Sequence, residues 1–155
     1  MKMLFRQRFF SWLDSYDIFD EYGNVIYTVS GKLSLSHRFV ISDANGEEIA
    51  EVRQKIVTFL PKFEFSIGGD SYGYLKRKFT WPNPLYEMEC TGWMAEGNFL
   101  EWNYSIVDSA GSPIASIDKE LLHMTDHYAI DVYDPQNALL CLMFVLSIDA
   151  EKCSR

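Results

Sequence analysis

Hydrophobic and polar residues alternate along most of this chain, and turn signals interrupt the alternation about every ten residues. Such alternation is typical of β-strands that bury one face. The apolar positions are rich in valine, isoleucine, tyrosine and phenylalanine, which favour the β conformation. The segments predicted as strands include 25–29, 63–67, 72–79, 85–90, 99–107 and 128–133.

One turn signature occurs three times: an apolar strand, then Asp-x-x-Gly, then a second alternating strand. An aspartate can accept hydrogen bonds from the backbone of a turn, and glycine adopts positive φ without a steric penalty. The pattern therefore predicts equivalent hairpin turns in an antiparallel meander, folded as a sandwich or barrel of about ten to twelve strands. The three turns are Asp20/Gly23, Asp43/Gly46 and Asp108/Gly111, and further turns are predicted at 68–70, 82–84, 96–98 and 125–127.

The C-terminal segment breaks the strand pattern. Residues 138–148 are apolar except for Ser147, and Asp134-Pro135 just before them is typical of a helix start. We predict one helix from about 135 to 150, and a helix that is apolar on all sides must be buried on all sides. A barrel of this size has a lumen too wide for side chains alone to fill. The helix is therefore predicted to plug a closed antiparallel barrel.

Length and composition predict one globular domain over residues 1–155, because 48% of the residues are hydrophobic and 23% are charged. The formal net charge of -8 repels nucleic acid, so no nucleic-acid partner is expected. No window approaches the ~20 apolar residues of a membrane-spanning helix, so no transmembrane segment is expected. Cys90, Cys141 and Cys153 form neither a CxxC pair nor a disulfide pattern, which favours a reducing, cytoplasmic location.

Catalytic and metal-binding motifs are not recognised. His123 and His127 have an HxxxH spacing, but their flanks indicate a hairpin, so no metal site is predicted. The glycines of 68–73 precede a strand and not a helix, which favours a hairpin over a phosphate loop. There is no GxSxG elbow and no cysteine close to a histidine in sequence. We expect no catalytic residues, no cofactor and no enzymatic activity.

The densest basic run is Lys76-Arg77-Lys78, and it is the candidate ligand-binding segment. Alternation along a strand would point Lys76 and Lys78 one way and Arg77 the other. Beside nearby aromatic residues these charges could contact an anionic headgroup, specifically so if Lys32 or Arg38 converge on them. The alternative is an exposed strand whose charges prevent edge pairing.

Aromatic residues are abundant near the predicted strand ends. At barrel rims such residues normally close the core, whereas an exposed cluster would indicate a ligand or membrane surface. The sequence leaves both alternatives open. The residues concerned are Trp12, Phe59, Phe79, Trp81, Trp93 and Trp102.

Three segments carry a family resemblance: RQRFFSWLDSYDIFDEYGNVIYTVSGKL at 6–33, KFEFSIGGDSYGYLKRKFT at 62–80 and YAIDVYDPQNALLCLMFVLSIDA at 128–150. In their order they resemble the LURP-one-related family, which includes small bacterial proteins. Its members share the fold of tubby C-terminal domains and phospholipid scramblases. The resemblance implies a twelve-stranded, mostly antiparallel barrel around one hydrophobic C-terminal helix, and it covers nearly the whole chain.

The resemblance also suggests a function, since tubby domains recognise phosphoinositides. It implies a non-catalytic binding module for anionic lipid headgroups or a phosphorylated ligand, although the lipid-binding residues of tubby domains have no counterparts in this chain. One alternative is a protein-interaction or stress-associated scaffold without a small ligand. Scramblase-like lipid handling and an enzyme of unrecognised type are the others. The oligomeric state stays open.

Overall fold

Twelve strands and one C-terminal helix make up the computed structural model, which describes residues 1–6, 15–32, 34–56, 58–122 and 125–153. The strands are β1 Lys2–Arg6, β2 Ser15–Asp20, β3 Val25–Gly31, β4 Arg38–Asp43, β5 Glu48–Gln54, β6 Lys62–Ile67, β7 Asp70–Lys78, β8 Leu85–Met88, β9 Met94–Asn98, β10 Asn103–Val107, β11 Pro113–Leu122 and β12 Thr125–Val132. The helix α1 spans Ala138–Cys153 and follows a 3-10 turn at Pro135–Asn137.

The strands form a closed antiparallel barrel. Each strand pairs with its neighbours in the chain, and β1 completes the ring by pairing with β12 as well as with β2. The predicted meander and the barrel are thus confirmed, and the sandwich is excluded. The number of strands agrees with the twelve implied by the family resemblance. Closure leaves no strand of the ring with an unpaired edge.

The three Asp-x-x-Gly turns are equivalent, as predicted. Gly23, Gly46 and Gly111 have φ of +85°, +83° and +82°. In each turn the aspartate accepts hydrogen bonds from the backbone N–H groups two and four residues further on, at 2.8–3.0 Å. The aspartate therefore satisfies the turn backbone, while glycine provides the left-handed conformation.

The turn predicted at 96–98 is wrong. These residues lie at the end of β9, and the chain turns instead at 99–102 before β10 begins. A Cβ on Gly97 would lie 2.7 Å from the Cα atom of Tyr104 on β10. The glycine is needed for close approach of two strands, and not for a turn.

Helix α1 is buried on all sides over its apolar segment. Asp134 caps the preceding 3-10 turn by accepting a hydrogen bond from the Gln136 N–H at 3.1 Å. Leu142, Phe144 and Ile148 are fully buried. The buried Ser147 hydroxyl donates a hydrogen bond to the Met143 carbonyl at 2.8 Å, so it is not left without a partner. The predicted central helix is confirmed, and it continues three residues beyond the expected end at 150. Within the described ranges, no helix is both long and apolar enough to span a membrane.

The antiparallel order sorts the connections to two ends of the barrel. The turn end carries the three Asp-x-x-Gly turns and the start of the helical segment. The loop end carries the last turn of α1 and the connections 32–37, 55–61, 79–84 and 99–102, of which residues 33 and 57 are not described. These two names are used for the barrel ends below.

We expect Leu142→Asp to abolish soluble expression. The side chain is fully buried in the helix, and an uncompensated buried charge costs about 3–5 kcal/mol, comparable to the whole stability of a small domain. The matched control is Leu100→Asp at an exposed site of the loop end, which should express normally. A soluble, cooperatively folded Leu142→Asp protein would contradict the central position of α1.

We expect Gly46→Val to lower the free energy of unfolding by about 1–2 kcal/mol, because the left-handed conformation is costly for a side chain with a Cβ atom. Nothing lies within 4 Å of a Cβ placed there, so the cost is that of the backbone alone. Gly46→Asn is the control and should cost less, since asparagine tolerates this conformation. Urea denaturation would measure both, and equal stability of Gly46→Val and wild type would refute the strain.

Candidate functional site

The candidate segment 76–78 ends strand β7 at the loop end of the barrel. Leu75 and Arg77 point into the barrel, whereas Lys76 and Lys78 lie on its outer face, as alternation along the strand predicted. The three basic residues therefore separate into two different environments.

Arg77 joins the barrel wall to the central helix. Its Nη1 donates a hydrogen bond to Oε1 of Glu151 at 2.5 Å, and Glu151 is only 4% exposed. A charge-assisted hydrogen bond of this kind is strong, and it compensates a carboxylate that has lost its water. Arg77 thus has a structural partner, which makes it less suited than its neighbours to receive a ligand.

On the outer face, Lys76 lies directly opposite Lys62 across the β6–β7 pair. Like charges in this position destabilise a sheet, and compensating partners surround them. Lys76 forms an ion pair with Glu89, and Lys78 lies 3.6 Å from Glu87. The pair with Lys76 lowers the pKa of Glu89, so it stabilises the fold above the ordinary carboxyl pKa and is lost as pH falls through the lowered value.

The charge of Lys62 is stabilised by an aromatic ring and not by an ion pair with a described carboxylate. Its Nζ lies 4.3 Å from the ring centroid of Tyr74, which is a cation–π distance, and no described carboxylate lies within ion-pair distance of it. The Tyr74 hydroxyl donates to Glu64 at 2.9 Å, and Lys55 donates to the same carboxylate at 3.2 Å. These hydrogen bonds, that of Tyr74 first, lower the pKa of Glu64. Lys62 is therefore the lysine that an added anion would neutralise at least cost.

A cleft of about 400 Å³ lies where these strands meet the loops. We call it the basic cleft; it is lined by residues 58–62 and 76–79. Phe59 and Phe79 flank it with 99% and 88% of their surface exposed. The cleft thus combines lysines with apolar walls, a composition that suits a ligand with an anionic group next to apolar parts.

Lys32 and Arg38, whose convergence on this segment would make headgroup binding specific, lie elsewhere in the structure. They line a second cleft of about 490 Å³ at the loop end, together with residues 34–37, 39 and 54–56. There Arg38 donates to Glu51 at 2.7 Å, and burial lowers the pKa of His37. Lys62 takes their place in the basic cleft, and the strand register that brings it there was not readable from the sequence.

Of the aromatic residues near strand ends, some close the core and others form exposed surface. Trp102 is buried and Trp93 packs against the core, so these two close the barrel. Phe59, Phe79 and Trp81 are exposed, and Trp81 is 91% exposed. Trp12 lies outside the described residues.

In the described part of the chain, the other candidate metal-binding and catalytic residues are poorly suited to those roles. Strands β11 and β12 pair up to Leu122 and Thr125, which confirms the hairpin expected around the histidine pair; His123 itself lies outside the described residues. The turn predicted at 125–127 is wrong, because these residues are paired within β12. No group of three metal-ligating side chains occurs among the described residues. Burial raises the pKa of Cys141 to about 12, so this thiol stays protonated and is a poor nucleophile.

The barrel and its plugging helix define a class of twelve-stranded folds with a hydrophobic core helix. Within that class, the LURP-one-related family model matches residues 1–149, and the chain therefore belongs to the LURP-one-related family. The protein YxjI of Bacillus subtilis (strain 168) is 23% identical over 150 residues, covering 96% of this chain and 92% of its own. A protein from Arabidopsis thaliana, known from its X-ray structure, has the same fold with a TM-score of 0.68 and 15% identity, over 97% of this chain and 90% of its own.

We expect Arg77→Met to lower the free energy of unfolding by about 3–5 kcal/mol, because it removes the guanidinium that bonds to the buried Glu151 carboxylate. The double variant Arg77→Met/Glu151→Leu should recover most of that loss, since replacing both partners by apolar residues is often neutral. Chemical denaturation of the wild type, both single variants and the double variant forms a complete cycle. Additive losses in this cycle would show that the two residues do not depend on each other.

Proposed function

We propose that this protein is a non-catalytic binding module that recognises anionic groups, either phospholipid headgroups or a phosphorylated small molecule, in the basic cleft. The observation that carries the proposal is the cross-strand pair of Lys62 and Lys76 with Lys78 beside it. Such a pair is unfavourable in an empty sheet and becomes favourable when an anion lies between its ammonium groups.

The carboxylates near the cleft do not prevent this role. Lys76, Lys78, Glu87 and Glu89 each keep about a third or more of their side chain exposed, and exposed ion pairs contribute little to stability. An incoming phosphate can therefore exchange with Glu87 or Glu89 at small cost. Arg77 is already paired with Glu151, so the proposed ligand-binding residues are Lys62, Lys76 and Lys78.

The alternatives have less support from the geometry. A scaffold that binds partners by strand addition needs an open sheet edge, and the closed ring has none. Scramblase-like handling of lipid would require α1 to leave the barrel, and its 16 residues extend only about 24 Å against a hydrocarbon core of about 30 Å. We place the protein in the cytoplasm, in keeping with the unpaired thiols of Cys90 and Cys141.

The test compares two charge-matched variants in co-sedimentation with vesicles of phosphatidylserine and phosphatidylcholine. Lys76→Gln/Lys78→Gln should weaken binding by up to about 30-fold, because each basic residue near an anionic surface contributes about 1 kcal/mol. Lys2→Gln/Lys119→Gln, on strands far around the barrel, changes the net charge equally and should bind nearly as wild type does.

Binding should also fade with added salt, since exposed charges are screened within about 10 Å at 0.1 M ionic strength. Inositol hexakisphosphate serves as a soluble probe of the same cleft and distinguishes headgroup recognition from membrane attachment. If the two double variants behave alike towards both vesicles and probe, the basic cleft has no part in binding and the scaffold alternative becomes the stronger one.

A further inference from the structure

Large apolar side chains protrude from the loop end of the barrel. Each of its four described connections, 32–37, 55–61, 79–84 and 99–102, carries at least one. Their exposed fractions range from 62% for Ile56 to 99% for Phe59. Most of the apolar surface of these side chains is not covered by their own chain, so it contributes little to the fold. They are Leu35, Ile56, Phe59, Phe79, Trp81 and Leu100.

Charged residues are also distributed unequally between the two ends. At the loop end, the connections 32–37 and 55–61 each contain one lysine and no acidic residue, 79–84 contains no charged residue, and 99–102 contains Glu101. At the turn end, residues 20–24, 43–48, 67–70, 89–93, 108–112 and 133–137 contain no lysine or arginine, and Lys2 at the start of β1 is the basic residue on an adjoining strand end. The acidic residues in these connections are Asp20, Glu21, Asp43, Glu47, Glu48, Asp70, Glu89, Asp108 and Asp134. An anionic surface would attract the loop end and repel the turn end.

We infer that the loop end is a membrane-docking surface, which inserts these apolar side chains into the interfacial region of an anionic bilayer. Aromatic side chains are preferred at that depth of a membrane. Lys62, Lys76 and Lys78 stand at the bases of the same loops, where their ammonium groups can stay among the headgroups. The inference rests on the proposed function for the choice of an anionic lipid and adds the apolar part of the contact.

A bilayer fits this surface better than a protein does. The apolar side chains sit on separate loops around the barrel end, so a folded partner would have to offer a separate pocket to each. A fluid membrane accepts protruding side chains at any spacing. A second copy of this chain docked loop end to loop end would bring two basic ends together, and at the turn end the strongly exposed large side chains are two tyrosines, Tyr22 and Tyr133.

The experiment uses exposed residues outside the basic cleft. Leu35→Ser/Trp81→Ser removes apolar surface without touching the cleft lining, and Tyr22→Ser/Tyr133→Ser is the matched control at the turn end. We expect the first variant to bind phosphatidylserine-containing vesicles at least about tenfold more weakly, because less apolar surface is buried on binding. Its affinity for inositol hexakisphosphate should stay within about twofold of wild type, and the control should match wild type in both assays.

Tryptophan fluorescence provides a second readout. Adding vesicles should shift the emission of the wild type to the blue, because Trp81 enters a less polar environment. Trp81→Phe should remove the contribution of this residue to the shift. Vesicle binding by Leu35→Ser/Trp81→Ser equal to wild type would overturn the inference, and so would an equal loss in the Tyr22→Ser/Tyr133→Ser control. A wild-type oligomer that this variant dissociates, without vesicle binding, would also overturn it in favour of self-association.

The two proposals fail in different ways. If inositol hexakisphosphate does not bind and Lys76→Gln/Lys78→Gln sediments with vesicles as wild type does, the proposed recognition of anionic groups is wrong. Loss of vesicle binding in Leu35→Ser/Trp81→Ser would then still support docking by the loop end. If the probe binds normally but no protein sediments with vesicles, the docking surface is wrong and the cleft binds a soluble anion.

Discussion

The structure depends on hiding one helix that is apolar around its whole circumference. A single sheet or a helical neighbour would cover only part of α1, whereas a closed ring of strands covers every side at once. Closure also gives each strand two neighbours, so the hydrogen bonds of the backbone are satisfied without an exposed edge. At the loop end the ion pair of Arg77 with Glu151 joins the wall to the last turn of the helix, where the apolar segment has ended.

A barrel filled by its own helix restricts where the protein can bind other molecules. The helix and the inward side chains fill the barrel, so recognition is expected on the outside and at the ends. An antiparallel meander sends successive connections to alternate ends, and the two sets of connections differ in chemistry. The connections at one end are polar and rich in acidic residues, and each described connection at the other end carries an exposed apolar side chain.

The proposed binding depends on both kinds of contact together. Lys76 and Lys78 are each partly neutralised by a nearby glutamate, and the whole chain carries a formal charge of -8, so charge alone would hold an anionic surface weakly. Apolar insertion at the same end would add affinity that salt does not screen. Lys62 lies over the Tyr74 ring, and no carboxylate of the described residues is within ion-pair distance of it, so its charge adds to the attraction in the basic cleft.

The sequence by itself determined the architecture, because its signals are local and repeated. The apolar run 138–148 predicted the buried helix, and the Asp-x-x-Gly frames predicted the turns, since both depend on neighbouring residues only. Gly97 was misread as a turn residue, because its role is a close approach to Tyr104 on the next strand. The convergence of Lys62 with Lys76, the inward pairing of Arg77 with Glu151 and the gathering of exposed apolar loops at one end were decided by tertiary structure. Each depends on strand register and on barrel closure, which bring together residues that are far apart in the chain.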